Sequence, residues 1–236
     1  METPAAGSHI NAQYSGSSFI LSIMSLRFSV LVLVLGLFLS SSALTPDECQ
    51  PLVNPLSLAD RSMMSGRFIF IAGYVNHELY RTMIKKTDSC WFTISPSPSN
   101  PDQIIFTQKN RVNGTCISST TNVTIDGNTV KGSFANVSVV FHMLPSCDGC
   151  LLLSITSTAT NIHPQLLQLM NVNRVEEEIS GHTLYLLARE TKVKDSDLEH
   201  FKQQASCLGF SGEPDFHYDP KKEICREGEG FKMSFS

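Results

Sequence analysis

Two thiol arrangements are the residues best able to do covalent chemistry. Cys90 sits in "SCWFTI", residues 89–94, two positions before Phe92 and so on the same face of a strand. A thiolate there is a nucleophile if its surroundings lower its pKa. In an apolar setting the same side chain is a small buried hydrophobe or half of a disulfide. Cys147-Asp-Gly-Cys150 is a Cys-x-x-Cys. A βαβ pattern around it would suggest redox work, and a second pair at like spacing would suggest a metal. Neither accompanies it. The motif joins two strand-like runs, so it reads as a hairpin staple or as one arm of a bridge to Cys90. Seven histidines lack metal-ligand spacing, and neither a Gly-x-Ser-x-Gly nor a phosphate loop occurs. No metal, cofactor or hydrolase site is expected; catalysis, if any, falls to Cys90.

Those thiols need an oxidising or a reducing setting, and the N-terminus speaks to that. Phe28–Leu39, "FSVLVLVLGLFL", carries no charge; Arg27 precedes it and Ser41-Ser42-Ala43 follow. A basic flank, a short apolar middle and small residues describe a secretory signal cut after Ala43. The run is short for a membrane span, which takes about 20 residues. Residues 1–43 are therefore expected to be a signal peptide, with Met24 an alternative start, and an uncleaved anchor is the competing reading. After cleavage no stable membrane span is expected. All seven cysteines lie beyond residue 43, where disulfides are favoured, and an odd number leaves one thiol free or paired with another chain. Sequons at Asn113, Asn122 and Asn136 agree with a secreted glycoprotein. A net charge of −4 without a Lys/Arg block gives no phosphate-neutralising surface, so nucleic acid is not an expected partner.

The elements that position these residues are mainly strands. The chain has 236 residues, 42% hydrophobic, enough for one substantial core. Runs rich in Val, Ile, Phe and Thr at 67–75, 89–95, 103–110, 115–125, 129–134, 137–143 and 150–158 are separated by turn chemistry, including Asn113-Gly114, Asp126-Gly127 and Asp148-Gly149. Residues 159–181 break the rhythm as a helical excursion or long loop, and "TLYLLAR", 183–189, returns to strand. A helix follows: Ser196-Asp-Leu-Glu199 has the form of a capping box, Leu198, Phe201, Ala205 and Leu208 share one face, and Gly209 stands at the C′ position. Many short antiparallel strands predict a sandwich or a barrel, with the helix packed outside it.

Gly66-Arg67-Phe68 at the head of the first strand, seven further strands and one late helix together resemble the lipocalins, with Phe where that family's Gly-x-Trp signature has Trp. The stretches "GRFIFIAGYVNHELY", "DQIIFTQKNRVNGTC", "LYLLARETKVKDSDLEHFKQQASCLGF" and "DFHYDPKKEIC" are similar to the orosomucoid and apolipoprotein M branches, and to fish plasma carriers of saxitoxin, tetrodotoxin or tributyltin. The likeness covers roughly 49–158 and 182–225. It implies an all-β fold, an eight-stranded up-and-down barrel with one packed helix over 44–225; the extra segment at 159–181 has no counterpart in orosomucoid, and residues 226–236 read as a polar C-terminal tail. The likeness implies the pairings Cys49–Cys207 and Cys116–Cys225, each closing a long loop worth roughly 2–5 kcal/mol. It also implies a plasma carrier of a small lipophilic or amphipathic ligand, without chemistry.

From that resemblance Tyr80, Phe92, Gln108, Tyr185 and Leu187 are expected to line the pocket, and strand parity adds Ile104 and Phe106. The ordinary alternative is that they fill a small barrel. Lys131 is the candidate cationic contact, although lysine more often faces solvent. Trp91 is expected to report occupancy by quenching. Two rivals follow from the family: a prostaglandin-synthase-like isomerase with Cys90 as nucleophile, spaced from Gly66 as in that enzyme, and a lipid carrier tied to lipoprotein particles, as in apolipoprotein M, by a retained signal.

Overall fold

The computed structural model describes residues 44–134, 136–162, 167 and 177–233. The expected signal peptide, and most of the 159–181 segment, lie outside the described residues. Eight antiparallel strands follow one another around a closed barrel: β1 (Gly66–Val75), β2 (Thr87–Pro96), β3 (Gln103–Val112), β4 (Thr115–Asp126), β5 (Thr129–Phe134), β6 (Val137–Leu144), β7 (Cys150–Thr160) and β8 (Glu178–Ala188), with β8 returning to β1. Among the described residues three helices accompany them: α1 (Pro46–Val53), α2 (Glu78–Lys85) and α3 (Asp195–Cys207). Two short strands, β9 (Phe216–His217) and β10 (Phe231–Lys232), pair with β1 and β4.

Turn chemistry sets the hairpins. Asn113 and Gly114 both take positive φ, 49° and 77°, which the tight β3–β4 connection requires. The β7–β8 hairpin reaches further than the sequence suggests. Ala159 pairs with Ile179 and Thr160 with Glu178, so both ends of the supposed 159–181 excursion belong to strands. The sequence hides this, because Ser180 and Gly181 read as turn residues yet sit within β8, Ser180 exposed and Gly181 buried.

β1 is covered on both faces. From Phe68 to Val75 every residue is buried, which explains a run that is apolar at every position rather than every second one. A register shift between Phe70 and Ala72 marks a bulge. Phe68 and Phe70 face the interior, while Tyr74 faces out, 5.4 Å from the Phe201 ring on α3, and donates its hydroxyl to the Gly212 carbonyl at 2.9 Å. At the floor Phe68 is overlaid by the Arg189 guanidinium, 4.5 Å away, which also donates to the Ser65 carbonyl.

α3 packs outside the barrel through Phe201 and Ala205, and ends in a Schellman pattern: Phe210 N–H to Ala205 C=O and Gly209 N–H to Ser206 C=O, with Gly209 at φ 83°. Its N-terminus differs from the expected capping box. Lys194 is the N-cap without a side-chain bond, and Ser196 lies inside the first turn, where Asp195 and Asp197 complement the helix dipole. A true capping box stands at α1, where the Thr45 hydroxyl accepts from Glu48 N–H and the Glu48 carboxylate accepts from Thr45 N–H at 2.8 Å. Disulfides join Cys49 to Cys207, tying α1 to α3, Cys116 to Cys225, and Cys147 to Cys150; Cys90 is free.

Gln204 on α3 is fully buried and donates to the carbonyls of Leu52 and Pro145 at 2.7 and 2.8 Å. Gln204→Leu should destabilise the protein by about 2 kcal/mol in urea unfolding, because two buried carbonyls lose their donor. His182, on the outer face of β8, meets Ser154 Oγ at 2.8 Å and the Phe210 ring at 5.1 Å, and burial lowers its pKa below the ordinary 6.5. As pH falls below 6.5 the unfolded chain takes up a proton that the folded chain refuses, so stability declines until the folded pKa is reached. A His182→Gln variant should lack that step when the two proteins' midpoints are compared between pH 8 and pH 5.

Candidate functional site

The inward side chains of the strands do not fill the barrel evenly. Towards the floor, Phe68, Phe70, Leu151 and Leu187 are packed solid. Towards the mouth a cavity of about 260 Å³ remains, lined by residues of β2, β3, β4, β6, β7, β8 and α2. Phe92, Phe106 and Phe141 form an aromatic wall, with centroids 5.1 Å apart for the first pair and 6.3 Å for the second. Gln108, Ser119, Thr121, Ser157 and Thr183 supply amide and hydroxyl groups, and Tyr185 stands between the two sets. Gln108 Nε2 donates to Asn110 Oδ1 at 3.0 Å.

Five of the seven expected lining residues meet here: Tyr80, Phe92, Phe106, Gln108 and Tyr185. Ile104 and Leu187 do not. They share the inward parity but sit further down their strands, 4% and 0% exposed, in the packed lower half. Parity fixes the face of a side chain, and not its height in the barrel.

β1 ends at Val75, where the expected strand 67–75 ends, and Tyr80 is carried by a helix that was not expected. His77 caps α2 by accepting from Leu79 N–H, and α2 lies over the mouth, burying Leu79 and Ile84 and presenting Tyr80 and Met83 to the cavity. Arg81 pins this helix, donating to Asp215 at 2.8 Å and to the Val75 carbonyl at 3.0 Å; Asp215 also accepts from Val75 N–H. Gly181 on β8 leaves the space that the Tyr80 ring occupies, and a Cβ there would overlap it. The Tyr80 hydroxyl is buried without a partner among the described residues.

The thiol is inward but poorly suited to attack. Cys90 is enclosed, receives a weak contact from Gln108 Nε2 at 3.7 Å, and burial raises its pKa far above the ordinary thiol value. A nucleophile needs the opposite shift. Trp91, next along β2, faces out beneath the C-terminal segment. Its indole donates to the Cys225 carbonyl at 2.8 Å, and Arg67 lies over its ring at 4.2 Å. Trp91 therefore does not contact the cavity and cannot report its occupancy by contact quenching. Lys131 is exposed and paired with Asp126 at 2.6 Å, so it is no cavity contact. Asn113, Asn122 and Asn136 are exposed. Among the described residues no cluster of His, Cys, Asp or Glu could hold a metal, and no helix is long and apolar enough to cross a membrane.

No family model matches the sequence, and no curated protein matches it. Similar solved structures include the siderocalin Ex-FABP (16% identity, 64% of this chain and 89% of that one, TM-score 0.48) and the siderocalin Q83 (15%, 71% and 99%, TM-score 0.48). A bovine lipocalin allergen, Bos d 2, is similar over 64% of this chain and 88% of its own, at 13% identity and TM-score 0.46. The functional reading stands on the cavity's own residues.

Adding a methyl group at the seat of Tyr80 tests whether α2 is held as described. Gly181→Ala should cost about 1–3 kcal/mol by overpacking. In a Tyr80→Ala background the same change should cost much less, a coupling measurable by a double-mutant cycle of urea midpoints.

Proposed function

We propose that the protein is a secreted carrier of the lipocalin type, which holds one small lipophilic or amphipathic molecule in the upper half of its barrel. The observation that carries this is the cavity itself: an apolar, aromatic-walled space left open above a floor packed solid, with a few polar groups at one end. Such a space takes up a guest by removing apolar surface from water, at about 25 cal/mol per Å² buried, while the polar groups orient it. Secretion is supported by the signal-like N-terminus, by three disulfides and by exposed sequons at Asn113, Asn122 and Asn136. Plasma as the destination, and lipoprotein particles as a partner through a retained signal, rest on the sequence resemblance alone.

The full chain expressed by cells with a secretory pathway, and recovered from their medium, tests the reading by native mass spectrometry. The expected species begins at Leu44, carries glycans and releases a small molecule on denaturation. A Val139→Trp variant, which fills the cavity from β6, should emerge folded and empty. A retained N-terminus would favour the tethered reading. Recovery of an empty wild-type barrel that also fails to take up any lipophile would overturn the carrier reading.

A further inference from the structure

Four strands of the wall carry the same polarity gradient. From floor to mouth, the inward residues of β3 run Ile104, Phe106, Gln108, Asn110, and those of β4 run Ile125, Val123, Thr121, Ser119. On β7 the order is Leu151, Leu153, Ile155, Ser157, and on β8 it is Leu187, Tyr185, Thr183. On each strand hydrocarbon or ring gives way to amide or hydroxyl at these positions, and beyond the band the same faces turn apolar again at Ile117, Ala159 and Ile179. Registers place Gln108 opposite Ser119 on one side of the cavity, and Ser157 and Thr183 on the neighbouring strands of the other. β6 stays apolar throughout, with Phe141, Val139 and Val137.

We infer that the cavity selects an uncharged amphipath, bound with its apolar end down and a hydroxyl, carbonyl or amide head at the band formed by Gln108, Ser119, Thr121, Ser157 and Thr183. This deepens the carrier reading and rests on it. The band consists of groups that both donate and accept, so it suits a neutral head of either kind. It supplies no full charge, and an ion placed there would lose its hydration without a counter-charge in return. Two arginines near this end are paired outside the barrel: Arg81 with Asp215 and Glu78, and Arg111 with Glu229. The buried Tyr80 hydroxyl, unpartnered among the described residues, adds a polar group at the same end that a guest or an ordered water would satisfy.

Displacement of the neutral fluorophore N-phenyl-1-naphthylamine from the delipidated, full mature protein tests this. The competitors are 1-decanol, decanoate and decyltrimethylammonium, which share one chain and differ in head charge. At pH 8 decanol is expected to compete at least about tenfold better than either ion. Decanoate should improve by up to about tenfold per unit as pH is lowered, because only its neutral form is taken up. A Ser119→Lys variant should reverse the order and favour decanoate. Equal competition by decanol and decanoate at pH 8, with no pH dependence, overturns the neutral-head inference while leaving the carrier reading standing. A protein that never binds the fluorophore, nor any competitor by calorimetry, overturns both.

Discussion

The barrel depends on closing a cylinder whose ladders are unequal in length. β3–β4 and β7–β8 pair along nearly their whole length, but β1 meets β2 only from Gly66 to Ile69, and β4 meets β5 only from Val123 to Asp126. Above those short ladders the sheet parts, and unpaired backbone there would be costly. One segment answers both gaps. β9 pairs with β1 at Ala72 and Gly73, and β10 pairs with β4 at Ile117 and Ser118. Between them the chain is fastened by Ser89 to the Glu223 carbonyl, by Trp91 to the Cys225 carbonyl and by the Cys116–Cys225 disulfide. Residues 226–233, expected to be a loose tail, are part of the wall.

This arrangement divides the interior. Phe216, carried in by β9, stacks on Phe70 with centroids 4.5 Å apart, and Phe70 lies 4.6 Å from Tyr185. These rings form the boundary between the filled floor and the open upper half. Gly73 permits it, because a Cβ there would run into both Phe70 and Tyr185. α2 then covers the upper half, and its anchor, Asp215, is the residue just before Phe216. The same segment that completes the wall therefore also sets the floor of the cavity and holds its cover. The shape of the cavity is set by the C-terminal segment as much as by the eight strands.

Most of the fold was legible because its rules are local. Period-two alternation and Asn-Gly or Asp-Gly turns mark the strands, and the stripe of Leu198, Phe201 and Ala205 marks α3. The two other described helices were missed for physical reasons. α2 is a short helix between two strands, and its eight residues hold too few turns for a clear period; the signal was the spacing of Leu79, Met83 and Ile84. α1 carries Pro51 inside, which argues against a helix, although Thr45-Pro46-Asp47-Glu48 held a capping box in view. Five of the seven expected cavity residues followed from face and resemblance together. Ile104 and Leu187 show what alternation lacks, namely the height at which the core stops being filled, which depends on Phe216 more than two dozen residues away in sequence.

Neighbouring residues Cys90 and Trp91 show how far a single backbone direction governs chemistry here. One step along β2 sends the thiol inward, where the absence of solvent raises its pKa and quiets it. The next step sends the indole outward, where Arg67 and Lys109 lie over its ring and the C-terminal segment shields it. Making Cys90 reactive would require a cation or a helix N-terminus aimed at Sγ. Its described polar neighbour is Gln108, whose amide is shared with Asn110 and stabilises a thiolate too weakly to offset full burial. The burial that goes with an apolar barrel interior is thus the same condition that raises the pKa of the free Cys90 thiol and works against its acting as a nucleophile.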